Sequence, residues 1–175
     1  MFSDPIKNIA QFGLEEGMKV ADFGAGSGAY AIAAAKRVGG SGRVFAVDVQ
    51  SDLLVNLKNL TSEKKIENIE IIRGDIDEQN GSKLNNESLD AVIVSNILFQ
   101  SENKTTLVGE VLRVLKKGGR ALVIDWSDSY GGMGPAPKDI IVKEAARKIF
   151  DEAGFEFERD IDAGEYHYGI IFIKK

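Results

Sequence analysis

A carboxylate followed by three glycines at alternate positions is the feature of this 175-residue chain that most directly predicts a ligand site. Asp22 ends an apolar run, and Gly24, Gly26 and Gly28 follow it before an alanine-rich stretch typical of a helix. Glycines at this spacing predict a tight turn from strand to helix, where a ligand approaches bare backbone. Asp22 would repel the pyrophosphate that a dinucleotide places on such a turn, and it would attract an ammonium group. The glycines together with Ala29 also satisfy the dinucleotide pattern, so the loop alone leaves both ligand classes open.

Three more acidic residues follow predicted strands. Asp48 lies 20 residues beyond Gly28, where the acid of dinucleotide folds accepts hydrogen bonds from ribose hydroxyls. Asp75, in Gly74-Asp75, follows the third predicted strand, and Asp125 ends the fifth. Asp48 or Asp75, taken singly, is equally typical of a solvated strand end or a helix cap. Their order on successive strands therefore carries more information than either residue alone.

The elements that must position these residues alternate between strand and helix patterns. Predicted strands span residues 19–23, 43–47, 69–72, 89–94 and 120–125, and predicted helices span 29–38, 51–60, a stretch from Ser101 or Asn103 to Leu115, and a stretch from Pro137 or Lys138 to Ala153. We expect residues 116–119, two lysines and two glycines, to close the third of these helices. Segments 155–161 and 166–173 predict a terminal hairpin. The alternation predicts an α/β fold with a mostly parallel sheet, helices on both faces and one antiparallel strand from the hairpin.

The composition limits the class of protein. Hydrophobic residues make up 43% and charged residues 28%, which is ordinary for one globular domain of this length. The absence of cysteine removes disulfides and thiolate chemistry, and a single histidine argues against a histidine-built metal site. No apolar run approaches the roughly 20 residues of a membrane span, and residues 1–11 lack the pattern of a signal peptide, so we expect a soluble cytoplasmic protein without a membrane partner. A net charge of −5 disfavours a non-specific nucleic-acid binder.

With these residues in place, the chain resembles the class I S-adenosylmethionine-dependent methyltransferases over nearly its whole length. The family's first motif, an acidic residue, any residue and then Gly-x-Gly-x-Gly, matches residues 22–28, and the acid that ends its second strand matches Asp48. The other similar segments are Gly74-Asp75, 89–96, 115–124 and 166–172. Within the family, the chain is most similar to the compact small-molecule group related to quinone-biosynthesis methyltransferases.

The resemblance implies a Rossmann-like, seven-stranded sheet with an antiparallel final strand, in one domain over residues 1–175. It implies S-adenosyl-L-methionine as cofactor, S-adenosyl-L-homocysteine as product and a small organic molecule as methyl acceptor. Asp22 would bind the methionine ammonium, Asp48 the ribose hydroxyls and Asp75 the adenine amino group. The expected cofactor-binding residues are Asp22, Phe23, Gly24, Ala25, Gly26, Gly28, Asp48, Val49, Gly74, Asp75, Ile76, Ser95 and Asn96, and no metal is expected.

Methyl transfer needs little covalent help from a protein, because the sulfonium is already an activated leaving group. Where the acceptor must lose a proton, the resemblance places His167 at the active-site edge as a candidate base, with Asp125 to orient it or to act itself. A histidine with no chemical role is the alternative. Residues 1–13, as an N-terminal lid segment, and residues 126–136, as a loop over the active site, are available to cover the site. A second subunit, as in a homodimer, would complete a site that these segments leave open.

Aromatic residues, Tyr30 and Trp126 among them, are candidate walls for a flat or cationic acceptor, and ordinary packing is their alternative role. Residues 96–99 lack the Asn/Asp-Pro-Pro-Tyr sequence of many amino-nitrogen methyltransferases, and the absence of cysteine argues against arsenic methylation. Two other functions stay open. One is a cofactor-binding sensor or non-catalytic partner subunit with the same fold, and the other is a nicotinamide oxidoreductase, which the charge of Asp22 disfavours.

Overall fold

One seven-stranded sheet organises the computed structural model, which describes residues 3–130 and 132–175. In chain order its strands are β1 (Lys19–Phe23), β2 (Arg43–Asp48), β3 (Ile69–Arg73), β4 (Leu89–Ser95), β5 (Leu115–Trp126), β6 (Phe155–Ile161) and β7 (His167–Lys174). Across the sheet they lie in the order β3-β2-β1-β4-β5-β7-β6. Neighbouring strands are parallel, except that β7 pairs antiparallel with both β5 and β6. The predicted Rossmann-like α/β fold with one antiparallel strand is therefore confirmed.

Helices cover both faces of this sheet, as predicted. In the described part of the chain they are α1 (Pro5–Phe12), α2 (Ala29–Val38), α3 (Ser51–Glu63), α4 (Lys104–Val114) and α5 (Lys143–Glu152). Apolar side chains of α1, α2 and α3 pack on one face, and those of α4 and α5 pack on the other. Strands buried on both sides have to be apolar at successive positions, which is why Val92, Ile93 and Val94 of β4 are all fully buried. None of the described helices combines the length and apolar character needed to span a bilayer.

Helix α1 is an element that we did not predict from the sequence. Asp4 caps its first turn through its side chain, and Gly13 ends it in a left-handed conformation. Ile9 and Phe12 bury its inner face in the core beside α2. The predicted N-terminal lid segment is therefore largely a packed helix, while its first two residues lie outside the described part of the chain.

Two predicted element boundaries are wrong by more than three residues. The helix expected from Pro137 or Lys138 begins only at Lys143, because residues 137–139 form a single 3-10 turn and the backbone is extended at Ile140 and Val142. Residues 116–119 belong to β5 and do not close α4, which ends at Val114. The last residue of α4 is thus followed directly by the first residue of β5, Leu115, which pairs with Leu89 at the start of β4.

Candidate functional site

The register of the sheet brings polar side chains from several strands to one edge and one face. Asp48 and Ser95 lie two residues beyond the direct partners of Asp22 on the neighbouring strands, so all three side chains project to the same face. Trp126 of β5 and His167 of β7 pair directly with each other and share this face. All five residues lie at the carboxyl edge of the parallel strands, where open α/β sheets bind ligands.

Asp125 does not orient His167, and this part of the predicted catalytic pair is wrong. Asp125 pairs with Tyr168 whereas His167 pairs with Trp126, so the two side chains project to opposite faces of the sheet. The buried carboxylate of Asp125 accepts backbone N–H bonds from Leu98 at 2.9 Å and Trp126 at 2.8 Å. Burial raises its pKa to about 6. Its observed contacts are structural, because they hold the turn that follows β4.

The glycine loop after β1 has backbone that L side chains rarely adopt. The φ angles of Gly24, Gly26 and Gly28 are +73°, +53° and +81°. A Cβ atom at Gly24 would clash with Ile97 and one at Gly28 with Leu57, whereas the nearest atom to a Cβ at Gly26 would be 3.9 Å away. Gly28 precedes α2 without a side-chain cap, so the loop leaves the positive end of that helix open. The loop is therefore a backbone cradle at a helix N-terminus.

Asp48 fixes the shape of this loop. Its Oδ2 accepts the N–H of Gly26 at 2.8 Å, and its Oδ1 accepts the N–H of Gln50 at 2.9 Å. The carbonyl of Val47 accepts two further N–H groups from the loop, at 2.8 and 3.0 Å. The glycine loop is thus attached to the end of β2. Because each carboxylate oxygen has two lone-pair sites, Asp48 keeps the capacity to accept hydrogen bonds from a ligand.

A cavity of about 580 Å³ extends along this edge of the sheet. Asp22, Asp48, Asp75 and Asp77 line it, and none of its described lining residues is Lys, Arg or His. This volume suits a small molecule, and carboxylates without counter-ions favour a ligand that carries positive charge. The described residues contain no group of three or more His, Cys, Asp or Glu side chains placed to hold a metal ion.

Three buried oxygens at the cavity have no hydrogen-bond partner among the described residues. They are Oδ2 of Asp22, Oγ of Ser95 and Oδ1 of Asn96, whose backbone φ of +56° is itself unusual for a residue other than glycine. Burial raises the pKa of Asp22 to about 7, with the charge of Asp48 adding to the rise and the backbone amide of Ala31 opposing it. An unpaired buried polar group costs roughly 1–3 kcal/mol, so these oxygens match a ligand rich in hydrogen-bond donors.

The loop after β3 contains the predicted Gly74-Asp75 and an acid, Asp77, that the sequence did not single out. Asp75 accepts the N–H of Asp77 at 3.0 Å. Asp77 in turn accepts the hydroxyl of Ser101 at 2.6 Å and the N–H of Glu102 at 2.9 Å. Asp77 therefore ties the loop after β3 to the loop after β4. Contacts across 24 and 25 residues leave no local sequence signal.

The N-terminal segment lines part of the cavity and joins α2 through a hydrogen-bonded triangle. The hydroxyl oxygens of Ser3 and Tyr30 lie 2.9 Å apart, and Nδ2 of Asn8 donates to them at 2.8 and 2.7 Å respectively. Asn8 and Tyr30 are buried, and Ser3, Pro5 and Tyr30 line the cavity. The sequence suggested Tyr30 only as an aromatic wall, and Ser3 and Asn8 not at all, because their roles depend on folding α1 against α2.

His167 lies beside the loop of residues 126–136. It is 92% buried, with neither ring nitrogen hydrogen-bonded, and burial lowers its pKa. Its ring packs on Trp126 with the centroids 4.3 Å apart. Gly134 also approaches the Trp126 ring, so closely that a Cβ there would lie 2.8 Å from it. The loop thus packs over the edge of the sheet at β5 and β7, although its residue Gly131 lies outside the described part of the chain.

Most predicted cofactor-binding residues come together along the cavity. The exceptions are Phe23, whose side chain is in the core with α4 and α5, and Gly28, which faces Leu57. Neither His167 nor Asp125 is among the described lining residues. The lining residues that were not among the predicted site residues are Ser3, Pro5, Ser27, Ala29, Val47, Gln50, Leu53, Asp77, Ile97, Gln100, Ser101 and Leu107.

Comparison with known proteins finds a methyltransferase family and relatives that are named as methyltransferases. Residues 14–155 match a family described as a methyltransferase domain. The ubiquinone/menaquinone biosynthesis C-methyltransferase UbiE of Francisella philomiragia is 30% identical over 151 residues, which cover 86% of this chain and 54% of that protein. The arsenite methyltransferase of Halobacterium salinarum is 25% identical over a 180-residue alignment, covering 86% of this chain and 44% of that protein.

A crystal structure of a SAM-dependent methyltransferase from Aquifex aeolicus superimposes with a TM-score of 0.90 at 26% identity. The match covers 99% of this chain and 91% of the Aquifex chain. By contrast, the chain spans about half the length of the curated relatives it matches. The described architecture therefore corresponds to nearly all of one solved methyltransferase and to part of the longer ones.

Proposed function

This chain belongs to the class I S-adenosylmethionine-dependent methyltransferases through its methyltransferase domain, and from this premise we propose that it transfers a methyl group from that cofactor to a small organic molecule. One observation carries the proposal. The cavity at the carboxyl edge joins a bare glycine cradle to four carboxylates, and the buried oxygens of Asp22, Ser95 and Asn96 there have no partner.

The residues present fit this cofactor. S-adenosylmethionine carries a sulfonium and an ammonium group, and its ribose hydroxyls and adenine amino group are hydrogen-bond donors. Carboxylates accept hydrogen bonds and attract positive charge, so a cavity lined by four Asp side chains matches both the charge and the donors. The same carboxylates disfavour the pyrophosphate of a nicotinamide dinucleotide.

Each residue then has a distinct proposed role. Asp22 binds the ammonium group, Asp48 accepts from the ribose while it holds the glycine loop, and Asp75 accepts from the adenine amino group. Val49, which is 53% exposed at the cavity, and Ile76 contact the faces of the adenine ring. Asp22 and Asp48 come from neighbouring strands and Asp75 from the loop after β3, so the sheet itself spaces the proposed contacts.

When bound, the cofactor supplies a methyl group that its sulfonium has already activated. The protein's contribution is to hold the acceptor in line with that methyl, which lowers the barrier by roughly 7–11 kcal/mol when the geometry is right. We assign the cover of the site to residues 3–13 and to the loop 126–136 of the same domain, since Ser3 and Pro5 line the cavity and Trp126 packs on His167. A homodimer that adds further cover stays a prediction, which sedimentation would measure.

The proposed acceptor position is beyond Ser95, toward β5 and β7. Trp126 and His167 share the face of Ser95 at this edge, and His167 offers two ring nitrogens without partners. Its lowered pKa keeps the imidazole neutral at pH 7, so it can take a proton from an acceptor that must lose one. The acceptor itself is proposed to be organic, because a chain without cysteine lacks the thiolates that bind arsenite.

Calorimetric titration with S-adenosylhomocysteine tests the proposal. We expect saturable one-to-one binding to the purified chain, much weaker binding of reduced nicotinamide dinucleotide, and loss of affinity in Asp22→Asn. A panel of small organic acceptors, assayed with methyl-labelled cofactor, then tests transfer. A folded protein that binds no S-adenosylhomocysteine would contradict the proposed function.

A second function is a sensor or non-catalytic partner subunit that binds the cofactor without transferring its methyl group. One observation favours it, namely that neither member of the predicted catalytic pair lines the described cavity. The same panel separates the two functions. Tight cofactor binding with no transfer to any acceptor supports the sensor, and turnover excludes it.

A further inference from the structure

The hydrogens of the Ser3–Asn8–Tyr30 triangle can be counted. The side-chain amide of Asn8 donates one hydrogen to Ser3 and the other to Tyr30. Ser3 and Tyr30 carry one hydroxyl hydrogen each, and the bond between them uses only one of the two. Neither hydroxyl has another acceptor among the described residues. One O–H group is therefore left over, whichever of the two residues donates to the other.

The two residues that can carry this spare O–H, Ser3 and Tyr30, both line the cavity. Asn8, which is 99% buried, donates a hydrogen bond to each of their hydroxyls. Tyr30 lies in the first turn of α2, whose N-terminus has no side-chain cap. A free hydroxyl donor favours an anionic acceptor, in a cavity whose charged side chains are all carboxylates.

Asp22 lines the same cavity as this donor. The backbone amide of Ala31 acts on the carboxylate of Asp22, and Ala31 follows Tyr30 directly in the chain. Asp22 also keeps one oxygen, Oδ2, without a partner. The cavity thus presents both an acceptor for a cation, on Asp22, and a donor for an anion, on the hydroxyl pair. An α-amino-acid group, with its ammonium and carboxylate on one carbon, carries both matching charges.

We infer that the hydroxyl pair of Ser3 and Tyr30 binds the carboxylate of the cofactor's methionine moiety while Asp22 binds its ammonium. The inference rests on the proposed function and deepens it, because it makes the N-terminal segment a selective part of the cofactor site. Since either hydroxyl can supply the spare hydrogen, the two residues substitute for each other.

The test compares S-adenosylmethionine with decarboxylated S-adenosylmethionine, which lacks that carboxylate and keeps both cationic groups. Both compounds are titrated calorimetrically into the original chain, Ser3→Ala, Tyr30→Phe and the double variant. We expect the original chain to bind S-adenosylmethionine about tenfold or more tightly than the decarboxylated compound, as for a hydrogen bond to a charged group. Each single variant should lose no more than a few-fold, whereas the double variant should lose the discrimination and bind the decarboxylated compound as before.

Tyr168→Phe is the matched control. Tyr168 is buried like Tyr30, but its hydroxyl has no partner among the described residues and lies on the opposite face of the sheet. It should leave both affinities unchanged, and thermal melts establish that every variant is folded. An original chain that binds both compounds equally would overturn the inference, as would a double variant that weakens both by the same factor. Binding of neither compound to the original chain would instead overturn the proposed function itself.

Discussion

Asp22 is a carboxyl group whose charge changes near neutral pH. Burial raises its pKa from 3.8 to about 7, so the protein without ligand is a mixture of the protonated and charged forms at that pH. An ammonium group interacts favourably only with the charged form. Ligand binding should therefore lower this pKa and release a proton.

We predict that affinity for S-adenosylhomocysteine falls by up to about tenfold per pH unit below pH 7 and levels off above it. In Asp22→Asn, affinity should be lower and independent of pH in this range. Titrations in two buffers of different ionisation enthalpy measure the proton released. Binding that does not change between pH 5.5 and 8 would show that Asp22 stays in one charge state.

The same raised pKa has a consequence for folding without ligand. Between pH 3.8 and about 7 the folded state binds a proton at Asp22 that the unfolded state does not, so this group's contribution to stability decreases as the pH rises through that window. Asp22→Asn removes this decrease. The unliganded variant should therefore melt higher, relative to the original chain, at pH 8 than at pH 5.

His167 is the residue on which the proposed proton transfer depends. In His167→Gln we expect turnover of an acceptor that must lose a proton to drop by about 10²-fold or more, with unchanged cofactor affinity. Because burial lowers the pKa of His167 below 6.5, turnover of the original chain should persist below pH 6.5 before it declines. The pH profile of turnover distinguishes a base at position 167 from a residue that only packs. Equal turnover of variant and original chain at every pH would show that His167 only packs on Trp126.

At the scale of elements, substitutions at two glycines of the same loop should affect cofactor binding and stability differently. Gly26→Ala meets no atom closer than 3.9 Å and has only its positive φ to overcome, at roughly 1–3 kcal/mol, whereas Gly28→Ala adds a clash with Leu57 of α3. We predict that Gly26→Ala stays folded and loses cofactor affinity, and that Gly28→Ala loses more stability than Gly26→Ala. Denaturant melts and calorimetry measure the two effects. A larger loss of stability in Gly26→Ala would contradict this division.

The sequence predicted elements well where packing and local pattern agree. Strand β1 and helix α2 have the predicted bounds, because an apolar run, a glycine turn and an alanine-rich helix each signal their own limits. The late start of α5 and the extension of β5 through residues 116–119 depend on strand pairing and core contacts, which no short window contains. Helix α1 has local signals at both ends, the Asp4 side chain that caps its first turn and the left-handed Gly13 that ends it.

The residues of the candidate site likewise fall into those that the sequence predicted and those that it could not predict. Motifs on strand ends predicted Asp22, Asp48 and Gly74-Asp75, because the carboxyl ends of parallel strands meet at one edge of a sheet. The contacts of Asp77 and of Ser3 join distant parts of the chain, so the sequence could not predict them. The expected Asp125–His167 pair failed for a simpler reason, since the residues pair with different neighbours and face opposite sides of the sheet.

At the scale of the whole molecule, the cavity and both hydrophobic cores are built on the same sheet. The cavity is built on β1, β2 and β4 at the centre of the strand order, so ligand binding should stabilise the entire domain. At a ligand concentration 100 times the dissociation constant we predict about 2.7 kcal/mol of added stability and a melting temperature higher by about 5–11 °C. Near- and far-ultraviolet circular dichroism should report a single shared transition. Separate transitions by the two probes would show that part of the chain unfolds independently.

The position of β7 in the sheet determines when the sheet can be completed during synthesis of the chain. Strand β7 lies between β5 and β6 and is antiparallel to both, although it follows both in the chain. While the ribosome still holds residues 167–174, β5 has no neighbour on that side and β6 has no partner at all. The apolar edge of the nascent sheet thus stays exposed until the final strand inserts, and this interval is when the chain is most open to aggregation or to capture by a chaperone.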